Sequence, residues 1–272
     1  MNEIDYFEQG KLYLLEFDGI SEEMIDAQLN AWKDQKVSSL PEVYKALLNH
    51  AKNRRGMPNS IGKIENIEHL LFSFDHKKVL EAYPAWDALF DSINEDPYTP
   101  PGRMEKSNNK NLWVVYCKAI ISAAEFLIQF ETYKDFESFT KPFWASEYTK
   151  LSLPLLLSTK IFGLGFALAC DFIKENISPE FLKPDTHIRD IAQGLGITKS
   201  SNDFIVYRDV EGYCRRVGKI PYEVDKLFWL IGSGKFYIFG VEVKTNKKKF
   251  IAKMKELTNK ASGTSANAAA SA

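Results

Sequence analysis

Residues 153–191 read LPLLLSTKIFGLGFALACDFIKENISPEFLKPDTHIRDI. Pro154 fits the first turn of a short helix. Proline has no amide N–H, and the N–H of a residue in that turn has no intrahelical partner in any case. Gly163 and Gly165 predict a tight turn, since glycine adopts a positive φ without steric cost. The apolar residues after this turn have the i, i+3, i+4, i+7 spacing of a helix with one buried face: Phe166, Ala169, Cys170 and Ile173. The segment 154–176 is therefore predicted to form two helices joined by a glycine turn.

A glycine turn of this kind suits a phosphate ligand. Glycine lets the backbone approach a ligand closely, and the first amide N–H groups of the second helix have no intrahelical partner. These groups and the helix dipole together favour an anion. The same pattern also describes an ordinary corner between two helices, so the turn alone leaves both interpretations open.

Asp185 is the second notable residue of this stretch. Pro179 and Pro184 bracket a loop, and Asp185 then opens another helix. The amino-terminal end of a helix favours a negatively charged carboxylate. An aspartate at this place is also a common helix cap, and that role alone would explain it.

The combination resembles the helix-hairpin-helix DNA glycosylase superfamily. Its members have an L-P-G-V-G-like hairpin, then a helix, then a V/P-D-T/V-H-I/V motif. The corresponding residues here are Ile161-Phe162-Gly163-Leu164-Gly165 and Pro184-Asp185-Thr186-His187-Ile188. The resemblance covers residues 153–191, and the helical regions around them fit the family without being specific to it.

The resemblance implies an enzyme of base-excision repair that acts on double-stranded DNA. The hairpin would bind the phosphates that flank a damaged base, with a monovalent cation held by its carbonyls. The hairpin contacts implied by the family fall here on Gly163, Leu164, Gly165 and Ala167, and Lys160, just before the hairpin, is a further candidate for a phosphate contact. The damaged nucleotide would be rotated out of the duplex, and Asp185 would be the catalytic carboxylate that assists cleavage of the N-glycosidic bond.

Bifunctional members of the family carry a lysine nucleophile two residues after the second glycine. Ala167 occupies that position and cannot form a Schiff base. The resemblance therefore implies a monofunctional glycosylase that uses water. A lyase that uses Lys160 or Lys183 from another direction remains an alternative.

Some relatives carry a four-cysteine iron–sulfur cluster. This chain has three dispersed cysteines, Cys117, Cys170 and Cys214, so we expect packed thiols, no such cluster and no metal or cofactor other than the monovalent cation at the hairpin. His187 matches the family's histidine, to which we assign a structural role beside the aspartate loop.

A later predicted helix carries the candidates for the base pocket, which are Asp225, Phe228 and Trp229. The alternative is that this helix belongs to the core.

The pattern of the whole chain predicts an all-α fold. By resemblance it would have two helical subdomains with a DNA-binding groove between them, and at most a minor β element. Residues 1–258 would form the glycosylase-like domain, with the hairpin at 154–176 and the catalytic loop at 177–190, and 259–272 a disordered tail. Residues 236–243 are the best strand candidate. The main helices are predicted at 21–30, 40–52, 112–130, 135–144, 166–176, 187–194, 203–217, 222–233 and 247–257.

Composition adds few constraints. The net charge is −1, so DNA binding would depend on local basic segments such as the predicted loop 52–63 and the predicted helix 247–257. The polar start MNEIDYFEQGK does not resemble a secretory signal, and no apolar run reaches the length of about 20 residues that spans a bilayer. We expect an intracellular monomer without a membrane partner, cytoplasmic and associated with the nucleoid or located in the nucleus.

Two other functions remain as alternatives. A non-catalytic DNA-binding protein would use the hairpin only as a phosphate clamp, and a helical protein-interaction domain would not bind DNA. For a glycosylase the lesion stays open. Alkylated purines are favoured because they are already good leaving groups, while oxidised purines and mismatched bases are the other choices.

Overall fold

The computed structural model describes residues 5–33 and 36–269, with side chains up to residue 260. The first helices are α1 (Tyr6–Leu14), α2 (Glu22–Asn30), α3 (Leu40–Lys52), α4 (Met57–Ile61), α5 (His76–Ala82), α6 (Trp86–Glu95), α7 (Leu112–Leu127) and α8 (Tyr133–Trp144). The others are α9 (Glu147–Lys150), α10 (Ser152–Lys160), α11 (Phe166–Asn176), α12 (Thr186–Gly194), α13 (Asp203–Val217), α14 (Pro221–Ser233) and α15 (Lys247–Ala269). Two short strands, β1 (Lys235–Phe236) and β2 (Val241–Glu242), form an antiparallel pair. The expectation of an all-α fold with a minor β element is confirmed.

The chain divides into two compact units. One comprises Met1–Asp34 and Ser178–Ala272, and the other comprises Gln35–Ile177. The first is called the aspartate unit here because it contains Asp185, and the second is called the turn unit because it contains the glycine turn. The chain enters and leaves the turn unit once each.

Helix α7 is the centre of the turn unit. Asn111 caps it by accepting the amide N–H of Trp113 at 2.9 Å, and helices α3, α5 and α6 pack against it. Its buried residues lie on several sides of the helix, so other elements of the unit surround it.

Helix α14 has the corresponding place in the aspartate unit. It packs against α1, α2, α12, α13 and α15. Pro221 occupies its first turn, where the absent amide costs no hydrogen bond, and Gly234 ends it at φ +73°. Because α14 contacts most of its unit, it is the frame on which the Asp185 loop is held.

The predicted helices agree well with the observed ones. The bounds are the same for 40–52, 166–176 and 203–217, and most others shift by one to three residues. The three cysteines are buried and form no disulfide, as expected. Within the described ranges, no helix is both long and apolar enough to cross a membrane.

Two predictions were wrong. Residues 52–63 are not one loop, because α4 lies within them, with Pro58 in its first turn. Residues 236–243 are not one strand, because Tyr237–Phe239 form a 3₁₀ turn and Gly240 at φ +63° reverses the chain. The backbone of α15 is described to Ala269 and residues 270–272 lie outside the described residues, so the disordered tail stays a prediction.

Candidate functional site

The glycine turn connects α10 and α11 as the spacing predicts. Gly163 has φ +78°, a conformation that L-residues rarely adopt, and a side chain there would lie 3.3 Å from Val115 Cγ1. The amide of Phe162 donates to Ser122 Oγ at 2.8 Å, and Leu164 is buried. The turn is therefore fixed on α7 at its start and in its middle, with Gly163 required by the backbone.

Gly165 differs from Gly163 in a way that bears on function. Its φ of −66° and ψ of 165° are accessible to any residue, and a Cβ added there would meet no atom within 4 Å. Neither the backbone conformation nor the packing of the turn therefore requires glycine at this position. A ligand that approaches the backbone from outside would supply such a requirement.

The start of α11 has the features of an anion site. Gly165 is its N-cap and offers no side-chain acceptor to the first amides of this helix of 11 residues. Lys160, the last residue of α10, has an exposed side chain. This side chain also lines a cavity of about 470 Å³ together with Ser122, Glu125, Phe126, Gln129, Phe139 and Leu156. Ala167, the position of the family's lysine, lies in the first turn of α11 and is partly exposed.

A buried polar network holds the other end of α11 against α3. His50 Nδ1 lies 3.3 Å from Asp171 Oδ2, and the Lys174 ammonium lies 3.0 Å from Asp171 Oδ1. Glu175 is close to both His50 and Lys174, and the ligand atoms of His50, Asp171 and Glu175 lie within 4.8 Å of one another. Because Lys174 already places a positive charge on Asp171, we interpret the group as an ionic anchor for α11.

Asp185 is the N-cap of α12. Its Oδ1 accepts the amide N–H groups of His187 at 2.8 Å and of Ile188 at 3.1 Å. Its Oδ2 has no hydrogen-bond donor among the residues whose side chains are described. The side chain is partly exposed, so one oxygen is fixed by the helix and the other is available to a ligand.

Helix α14 anchors the Asp185 loop at two points. The buried carboxylate of Asp225 accepts the amide N–H of Lys183, two residues before Asp185. Two residues after it, the imidazole of His187 lies on Gly232, where any added Cβ would overlap the ring. The carboxylate of Asp185 is thus positioned by contacts on both sides of it.

The electrostatic surroundings of Asp185 include three further groups. Burial lowers the pKa of His187, while the neighbouring carboxylates of Asp185 and Asp190 raise it. Burial also raises the pKa of Asp203, and the negative charge of Asp185 adds to this, against the opposing effect of Arg189. Arg189 lies 3.4 Å from Asp203, so a second carboxylate and a guanidinium lie near the candidate catalytic group.

The three residues assigned to the base pocket lie in different environments. Phe228 is buried and stacks on Tyr213, and Asp225 is 3% exposed and bound to the Lys183 amide. Neither presents a surface to a base from solvent, which favours the core-helix alternative for both. Trp229 is partly exposed and stacks on Tyr237, so it stays a base-pocket candidate.

Several of the basic residues already have partners. Lys52 is partly buried, donates to the Gly62 carbonyl at 3.0 Å, and has a pKa lowered by burial. Lys247 pairs with Asp190, and Lys253 pairs with Glu16. These three lysines are therefore weaker candidates for phosphate contacts than the charge runs alone suggest.

Sequence reasoning missed Gly232, Asp203 and Ser122. Gly232 lies inside a helical pattern, where a glycine usually indicates a close packing contact, so this contact was predictable from the sequence. Asp203 and Ser122 have no local signal, because their roles depend on residues distant in the sequence.

The candidate residues belong to separate parts of the chain. The glycine turn lies in the turn unit, whereas Asp185, His187 and Asp225 lie in the aspartate unit. Comparison of the chain with protein-family models, curated proteins and solved structures finds no match.

Proposed function

We propose that this protein is a DNA glycosylase that binds a damaged duplex, extrudes one nucleotide and hydrolyses its N-glycosidic bond. The observation that carries the proposal is Gly165, a glycine that the fold does not require at the uncapped start of α11. A phosphate oxygen bound by the amides of that first turn would explain the glycine at 165, since a Cβ at this position would block the approach of the phosphate.

Asp185 is the catalytic residue in this proposal. When the bond between C1′ and the base nitrogen breaks, its electron pair leaves with the base and positive charge develops on the sugar. The free Oδ2 of Asp185 would stabilise that charge and accept a proton from the water whose oxygen attacks C1′. Oδ1, held by two amides, would keep the carboxylate oriented throughout.

Water is the nucleophile in this proposal. Ala167 offers no amine, and the ammonium group of Lys160 is assigned to a phosphate at the hairpin. The product is then an abasic site in an intact strand. A lyase that uses Lys160 or Lys183 is the alternative that the products distinguish.

The resemblance also implies a monovalent cation on the turn. The carbonyls of Ile161 and Gly165 already accept the amides of Leu164 and Ala169. The carbonyls of Phe162, Gly163 and Leu164 would therefore be the ones that hold the ion. The cation would contribute positive charge there.

The test is a panel of duplexes, each with one alkylated, oxidised or mismatched base, incubated with the purified protein. Release of a base that becomes a strand break only after hot alkali supports the proposal and identifies the substrate class. Binding to DNA without release of any base would contradict it and favour a phosphate clamp. Absence of both would favour a protein-interaction domain.

A further inference from the structure

The β1–β2 hairpin of the aspartate unit presents apolar side chains to solvent. Lys235 pairs with Glu242 and Phe236 with Val241, and the 3₁₀ turn between the strands forms the tip. Tyr237, Ile238 and Phe239 at this tip are 59%, 44% and 43% exposed. Three consecutive exposed apolar residues are uncommon on a protein without a partner at that place.

The tip is held in place. The amide of Ile238 donates to Gln28 Oε1 at 3.2 Å, and Gln28 is itself buried. Tyr237 stacks on Trp229 with 5.2 Å between ring centroids, and Phe236 is buried beneath the hairpin. The apolar tip is therefore preorganised, which reduces the entropy lost on binding.

The charge around the hairpin identifies the chemistry of a partner. Residues 235–249 contain five lysines and one glutamate, in a chain of net charge −1. Lys247 is paired with Asp190, whereas none of the other four lysines has an ion-pair partner within the described part of the chain: Lys235, Lys244, Lys248 and Lys249. Exposed apolar and aromatic side chains flanked by lysines suit a polyanion with stacked bases.

Both ends of the hairpin lie next to helix α12. On the amino-terminal side, Gly232 of α14 is in contact with His187. On the carboxyl-terminal side, Lys247 pairs with Asp190. Because Asp185 caps α12, the segments on either side of the hairpin contact the same helix that Asp185 begins.

We propose that this hairpin is a DNA-contacting element: its tip lies against the base stack beside the extruded nucleotide, and its lysines bind the flanking phosphates. The proposal rests on the proposed function, since it takes an opened duplex as the ligand. The tip would fill the space that the extruded base leaves, which stabilises the open form of the duplex.

The first test uses a duplex with a tetrahydrofuran abasic analogue, and its affinity is measured by fluorescence anisotropy. Ile238→Ser combined with Phe239→Ser should raise the Kd by about 5-fold or more, because removing a stacking side chain costs about 1–3 kcal/mol. The melting temperature should not fall, since both side chains are exposed. Ile128→Ser is the matched control, because Ile128 is also 44% exposed but lies in the turn unit, and its Kd should equal that of the wild type.

A second test measures the salt dependence of the same Kd. Replacing Lys244, Lys248 and Lys249 together by alanine should reduce the slope of log Kd against log salt by about 0.9 for each phosphate that the variant no longer binds. Alanine at Lys110, Lys134 and Lys141, exposed lysines of the turn unit, should leave the slope unchanged.

Three results would overturn this proposal. Wild-type affinity and slope in both hairpin variants, with base release retained, would reject the hairpin and leave the glycosylase proposal intact. A variant that changes only the sedimentation of the protein would assign the tip to contacts between copies of the chain. A wild-type protein that binds no duplex at any salt concentration would reject both proposals.

Discussion

The imidazole of His187 lies on the backbone of Gly232, so closely that no side chain fits at position 232. The contact joins the first turn of α12 to the last turn of α14. Since Asp185 lies two residues before His187, the contact also determines where the candidate catalytic carboxylate is held.

Gly232→Ala should therefore destabilise the protein and displace the Asp185 loop. We expect a loss of about 1–3 kcal/mol in the free energy of unfolding, as for other substitutions that overfill a packed site. Urea denaturation checks this value. Gly212→Ala is the control, since Gly212 also lies inside a helix but its nearest neighbour would be 3.6 Å away; it should be neutral or slightly stabilising.

The double variant Gly232→Ala/His187→Ala separates overlap from other effects. Removing the ring should recover most of the stability that Gly232→Ala loses, because the two changes act on one contact. Strictly additive losses would show that the contact does not determine the stability of the loop.

Gly165→Ala and Gly163→Ala should behave differently. Alanine at 163 has to adopt a positive φ and should lower stability by about 1 kcal/mol or more. Alanine at 165 adopts an allowed φ and should cost less stability, limited to the poorer N-cap that alanine makes, but it should weaken binding to duplex DNA. If Gly165→Ala binds DNA like the wild type, the turn does not hold a phosphate in the proposed way.

The identity of the nucleophile can be tested with borohydride. A lysine that attacks C1′ gives a Schiff base that borohydride reduces to a stable protein–DNA adduct. The wild type should give no adduct, since Ala167 replaces the family's lysine. An adduct would contradict the water mechanism, and its loss in Lys160→Ala or Lys183→Ala would identify the amine.

The stability of the fold should fall on the acid side of neutrality partly because of His187. Burial lowers its pKa below 6.5 in the folded state, so below pH 6.5 the unfolded chain binds the proton more readily and stability is lost as the pH falls. His187→Asn should lose less stability than the wild type between pH 7.5 and pH 5.5, as measured by urea denaturation at both values. An equal loss in the two proteins would show that His187 is not kept neutral by the fold.

The sequence predicts local features better than distant contacts. The turn at Gly163 and the cap at Asp185 follow from residues close in sequence, and both are present. Asp225 illustrates what is harder to predict. It accepts the amide N–H of Lys183, 42 residues away in the sequence, and no local pattern indicates this hydrogen bond. A carboxylate on a predicted helix suggested a contact with a base instead. For the same reason, spacing gave no indication that Asp203 lies near Asp185.

The division into two units also limits what a motif can predict. The resemblance treats residues 153–191 as one block, yet the chain passes from the turn unit to the aspartate unit at residue 178.

The apolar pattern of residues 236–243 predicts one strand, because the positive φ of Gly240 is not visible in such a pattern.

Single-turnover base release by Asp185→Asn, on whichever lesion the panel identifies, tests whether Asp185 is the catalytic carboxylate. Asparagine is also a good N-cap, so the variant should fold and bind DNA. Asp75→Asn is the matched control, because Asp75 caps α5 through the same two amide contacts in the turn unit. Asp185→Asn should slow base release by about 10²–10⁴-fold, whereas Asp75→Asn should release base at the wild-type rate. Release at the wild-type rate by Asp185→Asn would contradict a catalytic role for Asp185.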